Sequence, residues 1–429
     1  MSFVKLNTRE VLGMNARNRL YTSKNSKAAR QVANSKFLTK QLMSEHEIAV
    51  AKILGVLHND DEVNNFAWEQ LTGNFVLKPS NGSGGKGIVV FKKNTDSGQF
   101  RDTMGEIWTV NDIMNHCQDI LEGKYSSHPG VGAEVIVEER VEIHPLFAKL
   151  AYKGTPDVRV IVYNSVPVMA MLRLPTRESE GRANLHQGAL GVGVDISTGV
   201  TTYAITGGGR QITYLPDTKR KLAGILIPFW QDILLTAIRA ANVAGITYAG
   251  VDIFIDKNRG PMVVELNTSP GLSIQLANHK GLKKRLERVR DLPVLNAEHG
   301  LKIGQALFRS SLAEKFVSPQ EPTAINVVEE CELHLGKKQR YRTSCFVNTK
   351  RSRSCISQSL AAELGLLDPE DLLWYQKTDT GEKQPVIAVI MTVGGKKLRT
   401  NMLVSRQLDR SKHKIHLGRR DLKGFVIKG

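Results

Sequence analysis

Hydrophobic and polar residues alternate along two short runs in the middle of the chain, and this pattern predicts a β-hairpin. The runs cover residues 250–256 and 261–271 and are joined by a polar turn that ends in glycine. Residues two positions apart in a strand share a face, so Glu265 and Asn267 are expected side by side, with Asp252 opposite them. Two carboxylates and an amide oxygen suit Mg²⁺ that is shared with nucleotide phosphates. The alternative is a solvated hairpin with ordinary surface acids.

A second pattern places a glycine-rich segment between two apolar runs. The apolar runs cover residues 75–79 and 88–91, and the segment between them, residues 80–87, contains four glycines whose backbone N–H groups can surround phosphate oxygens. A Walker loop would need Ser or Thr after its lysine and then a helix, whereas Lys86 precedes another glycine and an apolar strand. The segment is therefore predicted to be a flap that closes over a nucleotide, with Lys78 reaching the phosphates from the strand.

Two further strand-like runs, residues 158–163 and 168–174, predict another hairpin that carries Arg159 and Arg173. Arginine stays charged at any working pH, and its planar fork matches a carboxylate or an acyl phosphate. A surface salt bridge is the alternative for both arginines.

In this order the patterns resemble the ATP-grasp superfamily over roughly residues 30 to 310. Within that superfamily they are most similar to alpha-L-glutamate ligase-like proteins, relatives of the ribosomal-protein glutamate ligases. The segments that carry the resemblance are residues 34–40, 81–87, 137–140, 156–159, 181–188 and the set Asp252, Glu265 and Asn267. The resemblance implies an α+β ATP-grasp fold, in which two α+β subdomains clasp ATP.

The resemblance also implies roles for the residues that match the family's motifs. The nucleotide-binding set is Lys36, Lys78, Gly82, Ser83, Gly84, Gly85, Lys86, Gly87, Glu138, Glu139 and Val141. The metal-binding set is Asp252, Glu265 and Asn267, with Mg²⁺ as the expected ion and Mn²⁺ as the alternative. The catalytic set is Arg159, Arg173 and Asn184. The backbone of residues 138–141 would hold adenine, and Glu138 or Glu139, or alternatively Glu142 or His144, would bind the ribose hydroxyls.

The activity implied is ATP-dependent joining of a carboxylate substrate to an amine substrate. The γ-phosphate passes to the carboxylate, the amine attacks the resulting acyl phosphate, and ADP and phosphate leave. This chemistry needs charge neutralisation and alignment rather than a nucleophilic serine or cysteine. Glutamate or a similar amino acid would be joined to a peptide, protein or small acid. Two alternatives stay open: a peptide-binding or peptide-cleaving protein with a regulatory nucleotide site, and an ATP-grasp kinase that phosphorylates without ligation.

The last quarter of the chain shows short strands instead of the mixed pattern. The predicted regions are an N-terminal extension of little periodicity (1–33), an ATP-grasp domain (34–317), a linker (318–324) and a mostly-β domain (325–429). Leu417-Gly418-Arg419-Arg420, which closes the β region, resembles the end of retropepsin-like aspartic peptidase domains found beside glutamate ligases. The predicted architecture is thus an ATP-grasp fold followed by a small retropepsin-like barrel.

The peptidase motif is altered in this domain. Asn348-Thr349-Lys350 stands where such a domain carries Asp-Thr-Gly, and a neutral amide cannot take a proton from water. The letters Asp379-Thr380-Gly381 occur later, in a polar stretch that predicts a hairpin turn. The domain is therefore predicted to be a non-catalytic binding or docking module, with an active protease as the alternative.

Composition bounds the remaining classes of function. No run of about 18 apolar residues occurs, and the N-terminus has no apolar signal core, so neither a membrane protein nor an exported one is expected. The four cysteines lack metal-type spacing and fit a reducing cytosol. A cytoplasmic protein is therefore predicted. Relatives often form dimers or tetramers, so a homo-oligomer is an expectation carried by the resemblance alone.

The charge distribution bears on the choice of partner. The formal net charge is +17, and residues 321–429 contain 20 Lys and Arg against 12 Asp and Glu. The basic clusters lack interleaved aromatic residues and any nucleic-acid-binding module. A solvated surface or an acidic peptide partner is therefore expected rather than nucleic acid.

Overall fold

The structure is a computed structural model that describes residues 6–71, 73–81, 84–93, 99–126, 133–310, 312–313, 316, 322–335, 339–377 and 381–428. Throughout those ranges no helix is both long and apolar enough to cross a membrane. The chain divides into two compact units, Met1–Arg290 and Asp291–Gly429.

Among the described residues of the first unit there are nine helices. They are α1 Met14–Leu20, α2 Lys27–Asn34, α3 Lys36–Glu45, α4 Asp60–Asn65, α5 Val110–Leu121, α6 Pro145–Ala148, α7 Trp230–Val243, α8 Ile274–Asn278 and α9 Leu282–Val289. Of these, α2, α3, α4 and α5 begin at a serine, threonine or asparagine side-chain cap. Short 3₁₀ turns cover Thr22–Lys24, Trp68–Gln70 and Leu185–Gln187. The start of α5 is a capping box, in which the Asp112 N–H donates to Thr109 Oγ1 (3.2 Å) and the Thr109 N–H donates to Asp112 Oδ2 (2.8 Å).

The first sheet of this unit is antiparallel and carries the glycine-rich segment between two of its strands. Its strands are β1 Ile53–Leu57, β2 Phe75–Pro79, β3 Val89–Lys93, β4 Phe100–Asp102, β5 Ile107–Trp108 and β6 Val135–Glu139, in the order β1-β6-β2-β3-β4-β5. The predicted pairing of residues 75–79 with the run after the flap is confirmed, since Phe75 lies opposite Phe91. Phe75 also lies against Phe100, with ring centroids 5.4 Å apart, so aromatic packing holds this sheet together.

The second sheet of the unit carries both predicted hairpins. Its strands are β7 Asp157–Tyr163, β8 Val166–Leu174, β9 Leu190–Val194, β10 Thr201–Ile205, β11 Gln211–Ile212, β12 Tyr248–Asp256 and β13 Gly260–Asn267, in the order β11-β10-β9-β8-β7-β12-β13. The pairs β7–β8 and β12–β13 are antiparallel neighbours, so both hairpin predictions are confirmed. The helix α7 packs against β12 and β13.

Residues 6–34 are more ordered than the sequence pattern predicts. They contain α1 and α2, and three of their side chains, Leu12, Tyr21 and Asn25, are at most 1% exposed. The little periodicity noted for this segment is explained by the irregular spacing of these anchors, which leaves no helical or strand period to detect. The segment belongs to the same compact unit as the two sheets.

The second unit is built around a β-barrel. Its helices are α10 Ala297–Leu307 and α11 Gln358–Glu363, with a 3₁₀ turn at Arg406–Arg410. Its strands are β14 Thr323–Ile325, β15 Val328–Leu335, β16 Gln339–Val347, β17 Cys355–Ser357, β18 Leu372–Lys377, β19 Lys383–Val393, β20 Lys396–Ser405, β21 Ile415–Leu417 and β22 Phe425–Ile427. The order β15-β16-β21-β17-β20-β19 closes on itself, because β15 also pairs with β19. The interior is apolar, with Leu333, Ile356, Ile387 and Met402 fully buried, so the mostly-β prediction is confirmed.

The boundary between the units differs from the predicted domain limits. The helix α10 belongs to the second unit, whereas the sequence pattern assigns residues up to 317 to the first domain. One reason is that His299 Nε2 lies 2.7 Å from the Leu372 carbonyl oxygen and Lys302 Nζ donates to the Glu370 carbonyl (3.0 Å). Residues 318–321 of the predicted linker and Asp379-Thr380 of the predicted turn lie outside the described residues.

The packing of β9 on α8 predicts the effect of a single methyl group. A Cβ atom at Gly193 would lie 2.3 Å from the Ala277 carbonyl oxygen, a backbone atom that cannot move aside cheaply. We expect Gly193→Ala to lower the free energy of unfolding by about 1–3 kcal/mol, measured by urea denaturation. The control is Gly208→Ala, because a Cβ at that position meets no atom within 4 Å. Equal stability of the two variants would contradict this account of the packing.

Candidate active site

The predicted metal-binding residues lie together on one wall of a cavity of about 910 Å³ in the first unit. Asp252 on β12 is directly opposite Glu265 on β13, and Gly250 is opposite Asn267. A bulge just after Asp252 shifts the register, so Ile253 pairs with Val263. All three predicted residues line the cavity.

Both predicted arginines bind the carboxylate of Asp252. Arg159 on β7 donates from Nε to Asp252 Oδ1 (2.7 Å) and from Nη2 to Oδ2 (2.6 Å). Arg173 on β8 donates from Nη2 to Asp252 Oδ2 (2.5 Å), and it also donates from Nε and Nη2 to the two oxygens of Asp157 (2.5 and 2.7 Å). Arg159 is buried and the Arg173 side chain is only 13% exposed. The surface salt bridge considered for these arginines is therefore wrong.

The pKa values in this network move in opposite directions. Burial by itself raises the pKa of Asp252, but the charges of Arg159 and Arg173 outweigh it and hold that pKa well below its usual range. Partial shielding from bulk water and the nearby charge of Asp252 raise the pKa of Glu265. Burial raises the pKa of Asp157 to about 7 even though it is paired with Arg173. Asp252 therefore carries the firmly ionised carboxylate of the group.

Asp157 is a site residue to which the sequence analysis gave no role. It lines the cavity, is 5% exposed and holds both nitrogens of the Arg173 fork. It falls within the motif at residues 156–159. The sequence does contain an indication of this role: Asp157 lies two residues before Arg159, and residues so spaced in a strand share a face.

These oxygens fit a divalent ion that is shared with another ligand rather than enclosed by protein. Glu265 has 39% of its side chain exposed, and Asn267 Oδ1 accepts the Ser269 N–H (2.8 Å). Among the described residues no group of three or more His, Cys, Asp or Glu side chains could hold a metal. The site offers two carboxylates and one amide oxygen, and it leaves space for further ligands. Such a set of donors suits Mg²⁺ bound to a phosphate chain.

A second ionic network is formed by side chains of the first sheet and α3. The Glu138 carboxylate accepts from Lys78 Nζ (2.8 Å) and lies 2.9 Å from Lys40 Nζ, and all three side chains are at most 10% exposed. Lys40 also donates to the Ala51 carbonyl (3.1 Å). Sequence reasoning missed Lys40, although its position four residues after Lys36 places it on the same helix face.

The two glutamates predicted for the ribose are both occupied by protein groups. Glu138 lies between its two lysines, and Glu139 Oε1 accepts from Arg259 Nη1 (2.5 Å) and from the Lys52 N–H (2.8 Å). Both line the cavity. The geometry gives the ribose role no support, so that assignment stays a prediction.

Lys36 and a small apolar cluster also line the cavity near this network. Lys36 lines the cavity, and its Nζ donates to the Pro79 carbonyl oxygen (3.3 Å). Burial lowers the pKa of Lys36 to about 8, and that of Lys40 also to about 8. Val141 packs with Phe254 in a small apolar cluster, and both residues line the cavity. This cluster offers a flat apolar surface for a nucleobase.

Part of the glycine-rich segment lies over the cavity. Gly84 and Gly85 line it with positive φ angles of 68° and 77°, and a Cβ at Gly84 would lie 3.4 Å from the Asn184 side-chain nitrogen. Lys86 also lines the cavity. Gly87 is not among the lining residues that the structure describes; its carbonyl lies 3.0 Å from His116 Nε2. Gly82 and Ser83 lie outside the described residues.

The third predicted catalytic residue, Asn184, lies in the connection between β8 and β9 and is close to the glycine-rich segment. Asn184 lines the cavity together with Arg182 and His186, and its Oδ1 accepts the His186 N–H (3.0 Å). The His186 backbone thus fixes the orientation of the Asn184 amide. The structure therefore brings Asn184, the arginines and the carboxylates around one cavity.

Comparison with known proteins defines the class to which this fold and site belong. The family model for sugar-transfer associated ATP-grasp proteins matches residues 15–291. The first unit is therefore an ATP-grasp fold, as predicted. The chain belongs to the sugar-transfer associated ATP-grasp family.

Part of this chain is also similar to curated relatives. A probable alpha-L-glutamate ligase of Vibrio parahaemolyticus is 26% identical over 257 residues, which cover 60% of this chain and 62% of the relative. One of Syntrophotalea carbinolica is 27% identical over 177 residues, 41% of this chain and 44% of the relative. The chain thus spans about three fifths or less of these relatives.

Two solved ligases show a more distant likeness. The ATP-grasp ligase PsnB complexed with its minimal precursor is 16% identical, with a TM-score of 0.34 over 61% of this chain and 60% of that one. D-alanine–D-alanine ligase of Bacillus anthracis complexed with ATP is 12% identical, with a TM-score of 0.37 over 62% of this chain and 68% of that one.

The buried Glu138 network predicts a large effect on stability. We expect Glu138→Ala to lower the free energy of unfolding by about 3–5 kcal/mol, because it leaves Lys40 and Lys78 buried without their counter-ion. The neighbouring Glu139→Ala removes a partly exposed pair with Arg259 and is expected to cost about 0–1 kcal/mol. Urea denaturation of both variants measures the difference. A Glu138→Ala protein as stable as Glu139→Ala would show that the triad does not stabilise the fold.

Proposed function

We propose that the chain is an ATP-dependent carboxylate–amine ligase that forms ADP. The observation that carries the proposal is the cavity of an ATP-grasp unit, in which Asp252, Glu265, Arg159 and Arg173 line the same space as Lys36 and Lys78. Carboxylates for a metal ion, cations for phosphates and arginines for a transferred phosphoryl group are the parts that this chemistry requires.

The reaction proposed has two steps. The substrate carboxylate attacks the γ-phosphorus of ATP, ADP leaves, and an acyl phosphate forms on the substrate. The amine then attacks the acyl carbon, phosphate leaves with the bonding electron pair, and the amine loses a proton to give the amide. No covalent bond to the protein is needed, which agrees with a cavity lined by charged side chains rather than by an activated serine or cysteine.

The roles proposed for individual residues follow from their positions. Asp252, Glu265 and Asn267 would hold Mg²⁺, or Mn²⁺ as the alternative, and the ion would supply charge neutralisation at the phosphates. Lys36 and Lys78 would bind phosphate oxygens. The cluster of Val141 and Phe254 would contact the base.

Arg173 is placed to change partner when a metal ion is present. Its guanidinium is shared between Asp157 and Asp252. If Asp252 turned to the ion, Arg173 would keep Asp157 as its partner and present its remaining N–H groups to the transferred phosphoryl group. Asp157 would then be a positioning residue for this arginine.

Glutamate or a similar amino acid is the substrate proposed for one side of the reaction. The support is the likeness to probable alpha-L-glutamate ligases. A peptide, protein or small acid would be the other substrate, and we propose that the reaction takes place in the cytoplasm, where ATP is available.

We also propose that the barrel of the second unit is a retropepsin-like module that binds rather than cleaves. Asn348 follows β16 directly, where such a domain carries its catalytic aspartate, and its Nδ2 lies 3.3 Å from His416 Nδ1. An amide beside an imidazole does not provide the carboxylate that would activate water. Absence of peptide cleavage by the full chain, with or without ATP, is the result expected.

Product analysis tests the ligase proposal. Release of ADP and phosphate is expected only when both a carboxylic acid and an amine are present, and hydroxylamine in place of the amine should trap the acyl phosphate as a hydroxamate. A panel of amino acids and peptides can be screened by coupled detection of ADP. Formation of AMP and pyrophosphate, or a phosphorylated product that no amine consumes, would refute the proposal.

Removal of the proposed metal ligand gives a second test. Glu265→Ala should reduce turnover by about 10²-fold or more, because the ion contributes several kcal/mol to the stabilisation of charge. Glu287→Ala is the control, since Glu287 is an exposed acid on α9 that is paired only loosely with Lys283 (4.0 Å). Normal turnover of Glu265→Ala at limiting Mg²⁺ would refute the metal assignment.

The lowered pKa of Lys36 predicts how nucleotide affinity depends on pH. A phosphate binds the ammonium form, and with a pKa of about 8 in the free protein that form is lost as the pH rises through 8. The affinity for ADP with Mg²⁺, measured by calorimetry, should therefore fall between pH 7.5 and 9.5 by up to about tenfold per pH unit. Lys36→Arg stays charged and should flatten this dependence. If the ADP affinity of Lys36→Arg fell with pH as steeply as that of the wild type, Lys36 would not be the group responsible.

A further inference from the structure

The N-terminal segment, residues 7–25, binds the backbone that leaves the proposed metal site. Three successive carbonyl oxygens follow Asn267, and each accepts a hydrogen bond from this segment. Thr22 Oγ1 donates to the Thr268 carbonyl (3.1 Å), and Arg17 Nη1 donates to both the Ser269 (3.0 Å) and the Pro270 carbonyls (2.9 Å). The chain just beyond β13 is thus held by side chains about 250 positions earlier in the sequence.

The turn that Arg17 holds also fixes the side chain of Asn267. The Ser269 N–H donates to Asn267 Oδ1 (2.8 Å), so the Asn267 amide and the peptide groups after it form one hydrogen-bonded turn. Pro270 packs closely over β12, since a Cβ at Gly250 would lie 2.6 Å from Pro270 Cβ. A change in the path of residues 268–270 would therefore move the Asn267 oxygen.

The same segment is anchored to the other strand of the hairpin. Asn25 is 1% exposed, and its amide donates to the Tyr248 carbonyl (2.9 Å) and accepts the Tyr248 N–H (3.0 Å). Tyr248 is the first residue of β12, the strand that carries Asp252. Farther along the chain, Gln275 bonds both backbone groups of Leu12 (2.8 and 3.1 Å). The segment therefore joins the start of β12 to the end of β13.

We propose that residues 7–25 are part of the metal site and that Arg17 is a positioning residue for Asn267. The inference rests on the proposed function, because it assigns Arg17 to a site for Mg²⁺ with nucleotide. One guanidinium nitrogen fixes two adjacent carbonyls, and this sets the turn from which the Asn267 oxygen faces the cavity. Such outer contacts orient metal ligands and usually change metal affinity when they are removed.

The experiment compares three variants on one helix. Arg17→Ala removes the contact, and Arg17→Lys keeps a cation that can donate to both carbonyls, as Nη1 does. Arg19→Ala is the matched control, because Arg19 lies on the same helix with an exposed side chain. ADP binding is measured by calorimetry with Mg²⁺ and again with EDTA, and thermal unfolding is recorded for every variant.

We expect Arg17→Ala to lose the part of the ADP affinity that depends on Mg²⁺ and to keep the rest. In Arg17→Ala the ratio of ADP affinity with Mg²⁺ to that with EDTA should fall by about 10-fold or more, while the affinity in EDTA stays near that of the wild type. Arg17→Lys should recover most of the ratio, and Arg19→Ala should match the wild type. Hydrogen exchange in a peptide covering residues 262–270 should speed up in Arg17→Ala alone.

The failures of the two proposals are distinguishable. If the wild type binds ADP more tightly with Mg²⁺, but Arg17→Ala shows an unchanged ratio and unchanged exchange at residues 262–270, this inference is overturned and the proposed function stands. A merely structural Arg17 would lower the unfolding temperature without changing the ratio, which also overturns the inference. If the ADP affinity of the wild type does not depend on Mg²⁺, both the proposed function and the role given to Arg17 are overturned.

Discussion

The carboxylate of Asp252, buried between two guanidinium groups, is the interaction on which the rest of the cavity depends. A buried charge is costly unless it is paired and hydrogen-bonded, so Arg159 and Arg173 must stay within reach of it. That requirement fixes β7, β8 and β12 relative to one another. The bulge after Asp252 then places Glu265 directly across from it.

The second ionic network, around Glu138, obeys the same rule that a buried charge must be paired. Here one carboxylate compensates two cations, whereas around Asp252 two arginines compensate one carboxylate. The two cations lie on different elements, Lys40 on α3 and Lys78 on β2. Arg159 and Arg173 of the first network and Lys78 of the second line the same cavity. The apolar residues Val141 and Phe254 line it as well. A ligand that carries both a phosphate chain and a flat base is complementary to this cavity.

The N-terminal segment shows how a short stretch of chain can hold a turn that lies about 250 positions later in the sequence. Its few buried residues, among them Tyr21 and Asn25, attach it to the strands of the second sheet. Most of its exposed residues are polar or basic, although Met14 and Leu20 are exposed as well. Because the contacts are made by hydrogen bonds to backbone groups, they leave almost no trace in the hydrophobic pattern.

The sequence by itself determined the two hairpins, the glycine-rich segment and the set of Asp252, Glu265 and Asn267, because strand periodicity fixes which side chains share a face. It also pointed to Lys36, Lys78, Arg159 and Arg173 through the family motifs, and to a β-rich last quarter. Only the tertiary structure decided that Arg159 and Arg173 converge on Asp252 and that Asp157 lines the cavity. It also decided that Glu138 is paired with the buried Lys40 and that Glu139 is paired with Arg259. It also decided that α10 packs with the barrel and that Arg17 holds the turn after Asn267. These partners are far apart in the chain, and their selection depends on burial and on the pairing of charges, which no local pattern records.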